Sequence, residues 1–297
     1  TRPLPDFFSP PSLSGLSLVS GVGSGSGVFS VAFSLPMHSV ILVLQTAQAV
    51  LTAPASHLSL QEQAAALPHL HIEGVFMHFC VADSRAEEDV SFTKLQYKRF
   101  MDMLSAMEGA GIRPEIRHCC NSGAAILYPE FALDMVRPGI ITYGNAPSEE
   151  LEGAISLRPM MSLHSMIAQV RTVPAGTDIS YGRLYRTTHD TRVAVLPIGY
   201  ADGLHRALSN QIEVLTPYGR AKQVGRICMD MCMIDVTDLP QVKSGDEVEI
   251  FGEHILCADD AALCDTIPYE LMCAVSKRVP RVYRLNGVSV DKNLQPL

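Results

Sequence analysis

At 297 residues the chain has room for one large domain or two ordinary ones with full cores. Its 47% hydrophobic content and net charge of −8 describe a soluble globular protein. The acidic balance argues against nucleic acid or an anionic membrane as general partner, since both select basic surfaces. The eight cysteines form no C-x-x-C pair, so they read as buried thiols in a reducing cytoplasm. His118-Cys119-Cys120 is no metal cluster on this reading, because adjacent strand residues point to opposite faces.

The chain opens unusually. Residues 7 to 61 hold no Asp, Glu, Lys or Arg, and within them SGLSLVSGVGSGSG (14 to 27) has the bias of a flexible linker. VFSVAFSLPMHSVILVLQTAQAV follows, apolar enough to raise a membrane span. Pro36, His38, Gln45 and Gln48 interrupt it and no basic flank precedes it closely, so a span is not expected. A secretory leader is not expected either, since Arg2 is the only early cation. Residues 1–70 stand apart as an atypical, almost uncharged segment, either disordered or a remnant of a barrel.

From residue 72 the pattern becomes that of ordinary α/β protein. IEGVFMHF (72 to 79) predicts a buried strand. SFTKLQYKRFMDMLSAMEGAG places Phe92, Leu95, Phe100, Met103 and Met107 near helical spacing, with Gly109 and Gly111 stopping the helix. EIRHCCNS predicts a second strand, SGAAILYPEFALDM a short helix broken by Pro129, and MVRPGIITYG a third strand-like unit. This alternation predicts a partial TIM-type β/α barrel over 71–158. After the turn-rich NAPSEELEG, the segments RVAVLPIGY, QIEVLTPYG, QVGRICMDMCMIDVT and DEVEIFGE predict a mostly antiparallel β domain over 159–297. It carries one helix, PYELMCAVSKR, and a closing strand, RVYRLNGV.

In a β/α barrel the residues just past the strand ends line the active face. That rule selects His78 and Asp83, then His118 and Ser122, then Arg137-Pro138-Gly139. Each has a plainer reading: His78 as a core histidine, Ser122 as a helix N-cap, Arg137 as a surface cation. Tyr181, in DISYGRLY, reads either as an edge residue with its ring inward or as a proton-transfer group.

GVFMHFCVAD, HCCNSGA, VRPGIITYG, SYGRLY, PIGYADGLHRALSN, VGRICMD and TIPYELMC…RVPRVY together resemble, in that order, the motifs of bacterial alanine racemases. The resemblance covers roughly residues 70 to 285. It implies pyridoxal 5'-phosphate as cofactor, alanine as substrate, and a cytoplasmic homodimer that supplies D-alanine for peptidoglycan. It implies no nucleic-acid or membrane partner. Racemisation takes the α-proton from one face and returns one to the other, so two bases must flank the reacting carbon. The resemblance makes Tyr181 the base for the L-enantiomer. A free phenol titrates near pH 10 and needs cationic or donating neighbours to lose its proton at neutral pH; His78 and Arg137 are implied for this. His78, His118, Ser122, Arg137, Gly139, Ile140 and Tyr269 are the implied cofactor-binding set. Ser122, Tyr269 and the backbone at Gly139 and Ile140 hold the phosphate, and Arg137 faces the pyridine nitrogen. Tyr200 and Met229 are implied for the substrate carboxylate, Met229 through its N–H; its plainer reading is a core methionine. In this family the Tyr181, Tyr200 and Met229 elements come from the second subunit.

Two family motifs are missing. One holds the lysine that carries the cofactor and serves as the other base; here the first lysine is Lys94. The other, K-x-D-T-G-M-x-R, contributes a substrate-binding arginine. This chain is therefore expected to have impaired racemase activity. A non-catalytic dimerising remnant and a membrane-tethered relative are the rival readings.

Overall fold

The computed structural model describes residues 31–33, 39–44, 61–62, 64–68, 70–286 and 288–290. The linker expectation for 14–27 and most of the apolar run after it lie outside the described residues. Among the described residues no helix is long and apolar enough to cross a membrane. The chain divides into two compact units. One comprises Thr1–Cys80, Ser91–Cys119 and Leu133–Met135, the other Val81–Val90, Cys120–Ala132 and Val136–Leu297.

The first unit is built on a four-stranded sheet in the order β1-β2-β3-β4. β1 (Val31–Phe33) runs antiparallel to β2 (Ser39–Leu44), whereas β3 (His71–Met77) is parallel to β2 and to β4 (Ile116–His118). β3 buries Ile72, Val75 and Met77. Gly74 faces β4 so closely that a Cβ there would lie 2.9 Å from the Ile116 carbonyl oxygen, so the glycine lets the two strands pair.

The crossover between β3 and β4 is helix α1 (Glu87–Gly109), which opens on Glu87, Glu88 and Asp89, favourable at the positive end of the helix dipole. Gly111 (φ +80°) takes the left-handed turn beyond its end, and the Ile112 N–H returns to the Met107 carbonyl. The buried stripe is Thr93, Gln96, Phe100, Leu104 and Met107; Phe100 and Met107 fall as predicted, whereas Phe92 and Met103 are half-buried. Leu95 is exposed. The reason is polar: Gln96 Oε1 accepts from the Cys80 N–H at 3.4 Å, so an amide at that position is satisfied on burial.

The third strand-like unit expected at MVRPGIITYG is not a strand. The Arg137 N–H makes one backbone bond, to the Cys120 carbonyl at 2.9 Å. Pro138 then has no donor to continue a ladder, and the chain turns at Gly139 into a 3-10 helix, Ile140–Tyr143, closed by Gly144 at φ +81°. The predicted short helix forms as α2 (Ser122–Leu127), with a 3-10 turn at Pro129–Phe131.

The second unit centres on seven strands, every neighbouring pair antiparallel. They are β5 (Leu163–Met166), β6 (Gln169–Val173), β9 (Thr191–Leu196), β10 (Glu213–Thr216), β11 (Gly219–Val224), β12 (Cys232–Asp235) and β13 (Glu247–Phe251). Between β6 and β9 lies a small hairpin of β7 (Asp178–Ile179) and β8 (Tyr185–Arg186). Sheet order is β5-β13-β10-β11-β12-β9-β6, so its two edge strands are neighbours in sequence, separated only by Ile167 and Ala168. The sheet must therefore curl. Those two residues join its edges, the Ile167 N–H donating to Asp246 and the Ala168 N–H to Val195, both at 2.9 Å.

The core inside the curl includes Ala194, Leu196, Ile198, Val214, Ile227, Ile234 and Ile250. Alternate strand residues supply it, as the period of two requires. Helices α3 (Cys257–Leu263), unread in the sequence, and α4 (Pro268–Ala274) pack beside it through Ala261 and Leu271. The closing strand is one arm of a hairpin, β14 (Tyr283–Leu285) with β15 (Val288–Val290). Cys119, Cys120, Cys232 and Cys257 are buried, but Cys80 and Cys273 are exposed, contrary to a uniformly buried set.

Candidate active site

The start of α2 is organised by Asn121, which accepts the Ala124 N–H on its side chain at 3.0 Å and is the true N-cap. Ser122, read from sequence as that cap, is relieved of the role. Its Oγ accepts the Gly139 N–H at 2.9 Å, tying the helix start to the turn that begins the 3-10 helix. Ile140, the first residue of that turn, is buried. On the other side of α2 the Ala82–Asp83 segment lies so near that a Cβ on Gly123 would sit 2.8 Å from the Asp83 Cβ. Asp83 in turn acts on Tyr269, the second residue of α4. Burial first, and the Asp83 charge second, push the Tyr269 phenol above its ordinary range, so it keeps its proton and can donate. Ser122, Gly139 and Ile140 are thus drawn around one helix start, with the Tyr269 phenol close enough to feel the Asp83 charge. A hydroxyl, a phenol and exposed turn backbone are a donor set suited to a phosphate.

In the first unit, His78 follows β3 directly and is exposed, so it is not a core histidine. His118 is 3% exposed and stacks on Phe76, ring centroids 4.9 Å apart. Arg137, in the second unit, is half-buried.

Tyr181 stands at the tip of the β7–β8 hairpin, in a 3-10 turn Tyr181–Arg183. Ser180, Gly182 and Arg183 all have positive φ (64°, 71° and 51°), so two residues other than glycine bear a conformation that normally favours glycine. Polar bonds offset this. Asp178 accepts from Arg186 Nε and Nη2, both at 2.7 Å, and from Arg183 Nε at 2.6 Å. Arg186 first, then Arg183, hold its carboxyl down to about 2. Ser180 Oγ donates to the Arg226 carbonyl at 2.7 Å. Tyr181 itself is 70% exposed, which removes the ring-inward reading.

Tyr200 and Met229 occupy facing loops. The Tyr200 N–H donates to the Cys228 carbonyl and the Ala201 N–H to that of Met229, both at 3.0 Å. The approach depends on Gly199, where a Cβ would fall 2.2 Å from the Cys228 oxygen and 2.4 Å from the Met229 oxygen. Tyr200 is 44% and Met229 53% exposed. Met229 lies in the loop between β11 and β12, so the core-methionine reading is overturned. Its carbonyl is engaged, while its N–H has no acceptor among the described residues. A concavity of about 400 Å³ beside the hairpin is floored by Val173, Ile179, Val193 and Val195 and contains none of the predicted residues.

Sequence reasoning missed the polar frame that holds these groups: Asn121, Asp178, Asp202 and Arg278. The Asn before SGAA and the Asp inside GYADG were the available signals, since Asx side chains cap and tighten turns.

Fold and loops together define a protein that couples an α/β sheet with a parallel β-α-β crossover to a curled antiparallel β domain. The family models that match are the alanine racemase N-terminal domain, over residues 52–147, and the alanine racemase C-terminal domain, over 160–283. Among curated relatives, an alanine racemase of Desulfovibrio desulfuricans is 50% identical over 220 residues, covering 74% of this chain and 58% of its own. One of Desulforamulus reducens is 49% identical over 220 residues, covering 73% and 59%. Among solved structures, the alanine racemase of Bacillus anthracis with bound L-Ala-P superposes with a TM-score of 0.78 at 31% identity, covering 86% of this chain and 67% of that one. The Clostridium difficile enzyme in complex with cycloserine gives 0.77 at 35%, covering 86% and 66%. The chain belongs to the alanine racemase family. It spans just under three fifths of the length of the two curated relatives named.

Proposed function

We propose that this chain carries the cofactor-binding and substrate-facing parts of a racemase that interconverts L- and D-alanine. Ser122, the backbone at Gly139 and Ile140, and Tyr269 would hold the phosphate of pyridoxal 5'-phosphate, with His118 and Arg137 on its ring. Pyridoxal phosphate, when bound, withdraws the negative charge that the departing α-proton leaves behind. The chain's own residues bind, orient and move protons. Arg137 offers hydrogen bonds to the pyridine nitrogen without giving up its proton, which moderates that withdrawal. The Tyr181 phenolate oxygen takes the α-proton from L-alanine, supported by His78 and Arg137. Tyr200 and the Met229 N–H receive the substrate carboxylate. Tyr181, Tyr200 and Met229 would serve the site of a second copy, in a cytoplasmic homodimer.

The observation that carries this reading is the Ser122–Gly139 bond at 2.9 Å, which brings a hydroxyl and a turn onto one helix start. In an assembly that contains the missing lysine, replacing Tyr181 by Phe removes exchange of the L-alanine α-proton, read by NMR in deuterated buffer. Unchanged exchange contradicts the assignment. The lysines described here do not stand at the end of a barrel strand: Lys94 and Lys98 lie on α1, Lys98 bonded to Asp102 at 2.6 Å. The purified chain is therefore expected not to turn over L-alanine, and robust formation of D-alanine would refute this. The same lack of a lysine before Lys94 favours a second reading, a non-catalytic dimerising module. Failure to retain any pyridoxal phosphate would select it.

A further inference from the structure

We propose that Arg278 is a positioning residue for carboxylate capture, clamping the loop that carries Tyr200 to the loop that carries Met229. Its Nε donates to Asp202 Oδ1 at 2.7 Å and its Nη2 to Asp230 Oδ1 at 2.6 Å. Asp202 is two residues past Tyr200, and Asp230 follows Met229. A guanidinium is planar and its N–H directions are fixed, so one arginine bonded to both carboxylates sets the distance between them.

Each end of the clamp is anchored. The other oxygen of Asp202 accepts the Gly199 N–H at 3.0 Å, and its carbonyl accepts the Ser276 N–H at 2.9 Å. Gly203 packs so tightly that a Cβ there would sit 2.6 Å from the Ala274 carbonyl oxygen. Behind Arg278, Arg281 donates to the carbonyls of Val275, Ser276 and Val279, fixing the segment from which the clamp extends. The Met229 loop is tied to the Tyr200 loop through the Cys228 and Met229 carbonyls. The bond from Arg278 to Asp230 adds a hold just beyond Met229, the residue whose N–H is proposed to meet the substrate.

Charge gives the clamp a second effect. Asp202 and Asp230 are two anions beside a place proposed to receive another carboxylate, and like charges there repel the ligand. Arg278 offsets part of that repulsion. Its side chain is 48% exposed and that of Asp230 55%, so the pairing adds little to global stability. Its effect is local geometry and field.

The inference rests on the reading of Tyr200 and Met229 as carboxylate-meeting residues, and its test separates the two. Amide hydrogen exchange is followed in the full chain, wild type against Arg278→Gln and Arg278→Lys. The clamp predicts that Arg278→Gln speeds exchange of the Tyr200 and Ala201 amides by about tenfold or more, while those of Val214 and Ala221 in the β10–β11 pair stay as they were. Arg278→Lys keeps the charge without the fork and is expected to fall between. If Arg278→Gln loses its fold, the lysine variant decides by the same local contrast. Equal exchange at Tyr200 and Ala201 in both variants overturns the clamp, as does acceleration of all four amides together in both. L-Alanine is then titrated with pyridoxal phosphate present, watching the Met229 amide. A wild-type shift that weakens at least about tenfold in Arg278→Gln and less in Arg278→Lys supports both readings. A wild-type amide that ignores alanine removes the substrate assignment and leaves the clamp to stand or fall on exchange alone.

Discussion

His118 and Tyr200 stand in different surroundings, one buried and one on a loop. His118 ends the three-residue strand β4, where it is 3% exposed and stacked on Phe76. Tyr200, Tyr181 and Met229 sit on loops, 44% to 70% exposed, and what surrounds them is a frame of hydrogen bonds and ion pairs. A packed residue inherits its position from the sheet beneath it and depends on the completeness of that sheet. A loop residue held by polar bonds depends on a few named partners. The frame around Tyr200 and Met229 is made within the second unit, by Asp202, Asp230 and Arg278.

Breaking a close backbone approach gives the largest effect. Gly199→Ala drives a Cβ into two main-chain oxygens, which cannot yield as a side chain would. We expect a loss of about 2–4 kcal/mol in urea unfolding of the second unit. A loss below about 0.5 kcal/mol would mean that the two loops are not rigidly juxtaposed.

A pH series sharpens the contrast between packed and bonded acids. Burial, with Asp259 adding, pushes the Asp260 carboxyl on α3 up to about 7 from an unfolded value of 3.8. The folded state resists its ionisation, so stability is greatest below the unfolded value and falls as pH rises towards about 7. The loss should be on the order of 4 kcal/mol, and Asp260→Asn should flatten it. Asp178 has the opposite sign. Its depressed carboxyl stabilises the hairpin above about pH 4 and releases it only as pH falls towards about 2. Far-UV circular dichroism in denaturant tests the first, and amide exchange at Ile179 and Tyr185 the second.

Smaller effects follow at single bonds. Ser122→Ala leaves the Gly139 N–H without its acceptor and should cost about 1 kcal/mol, with weaker retention of pyridoxal phosphate in equilibrium dialysis. Tyr181→Phe should change thermal stability by less than about 0.5 kcal/mol, since the residue is 70% exposed. A larger loss would show that the hairpin tip is a structural contact.

The antiparallel domain was legible because its strands alternate and its turns carry Gly, Pro and Asp, signals that act within a few residues. The crossover helix was legible too, with Phe100 and Met107 on its buried face, although the first turns were misplaced: hydrophobicity favoured Leu95, and the partner that lets Gln96 go inside lies sixteen residues away at Cys80. MVRPGIITYG looked like a strand because Ile, Val and Tyr favour strands, yet Pro138 and Gly139 decide the backbone there. Helix α3 was hidden by a weakly polar, cysteine-bearing run that packs only in tertiary context. Motif resemblance picked out Tyr181, Tyr200 and Met229. It could not show that an arginine nearly eighty residues beyond Tyr200 ties two of their loops together.

The central proposal is that residues of this chain would cradle a phosphorylated pyridine without a covalent tie. Purified chain titrated with pyridoxal phosphate, scanned by absorbance and passed through a desalting column before and after borohydride, tests it most directly. We predict saturable binding that Ser122→Ala weakens and borohydride does not fix to the protein. Cofactor that never binds, or that becomes permanently attached on reduction, would contradict the account.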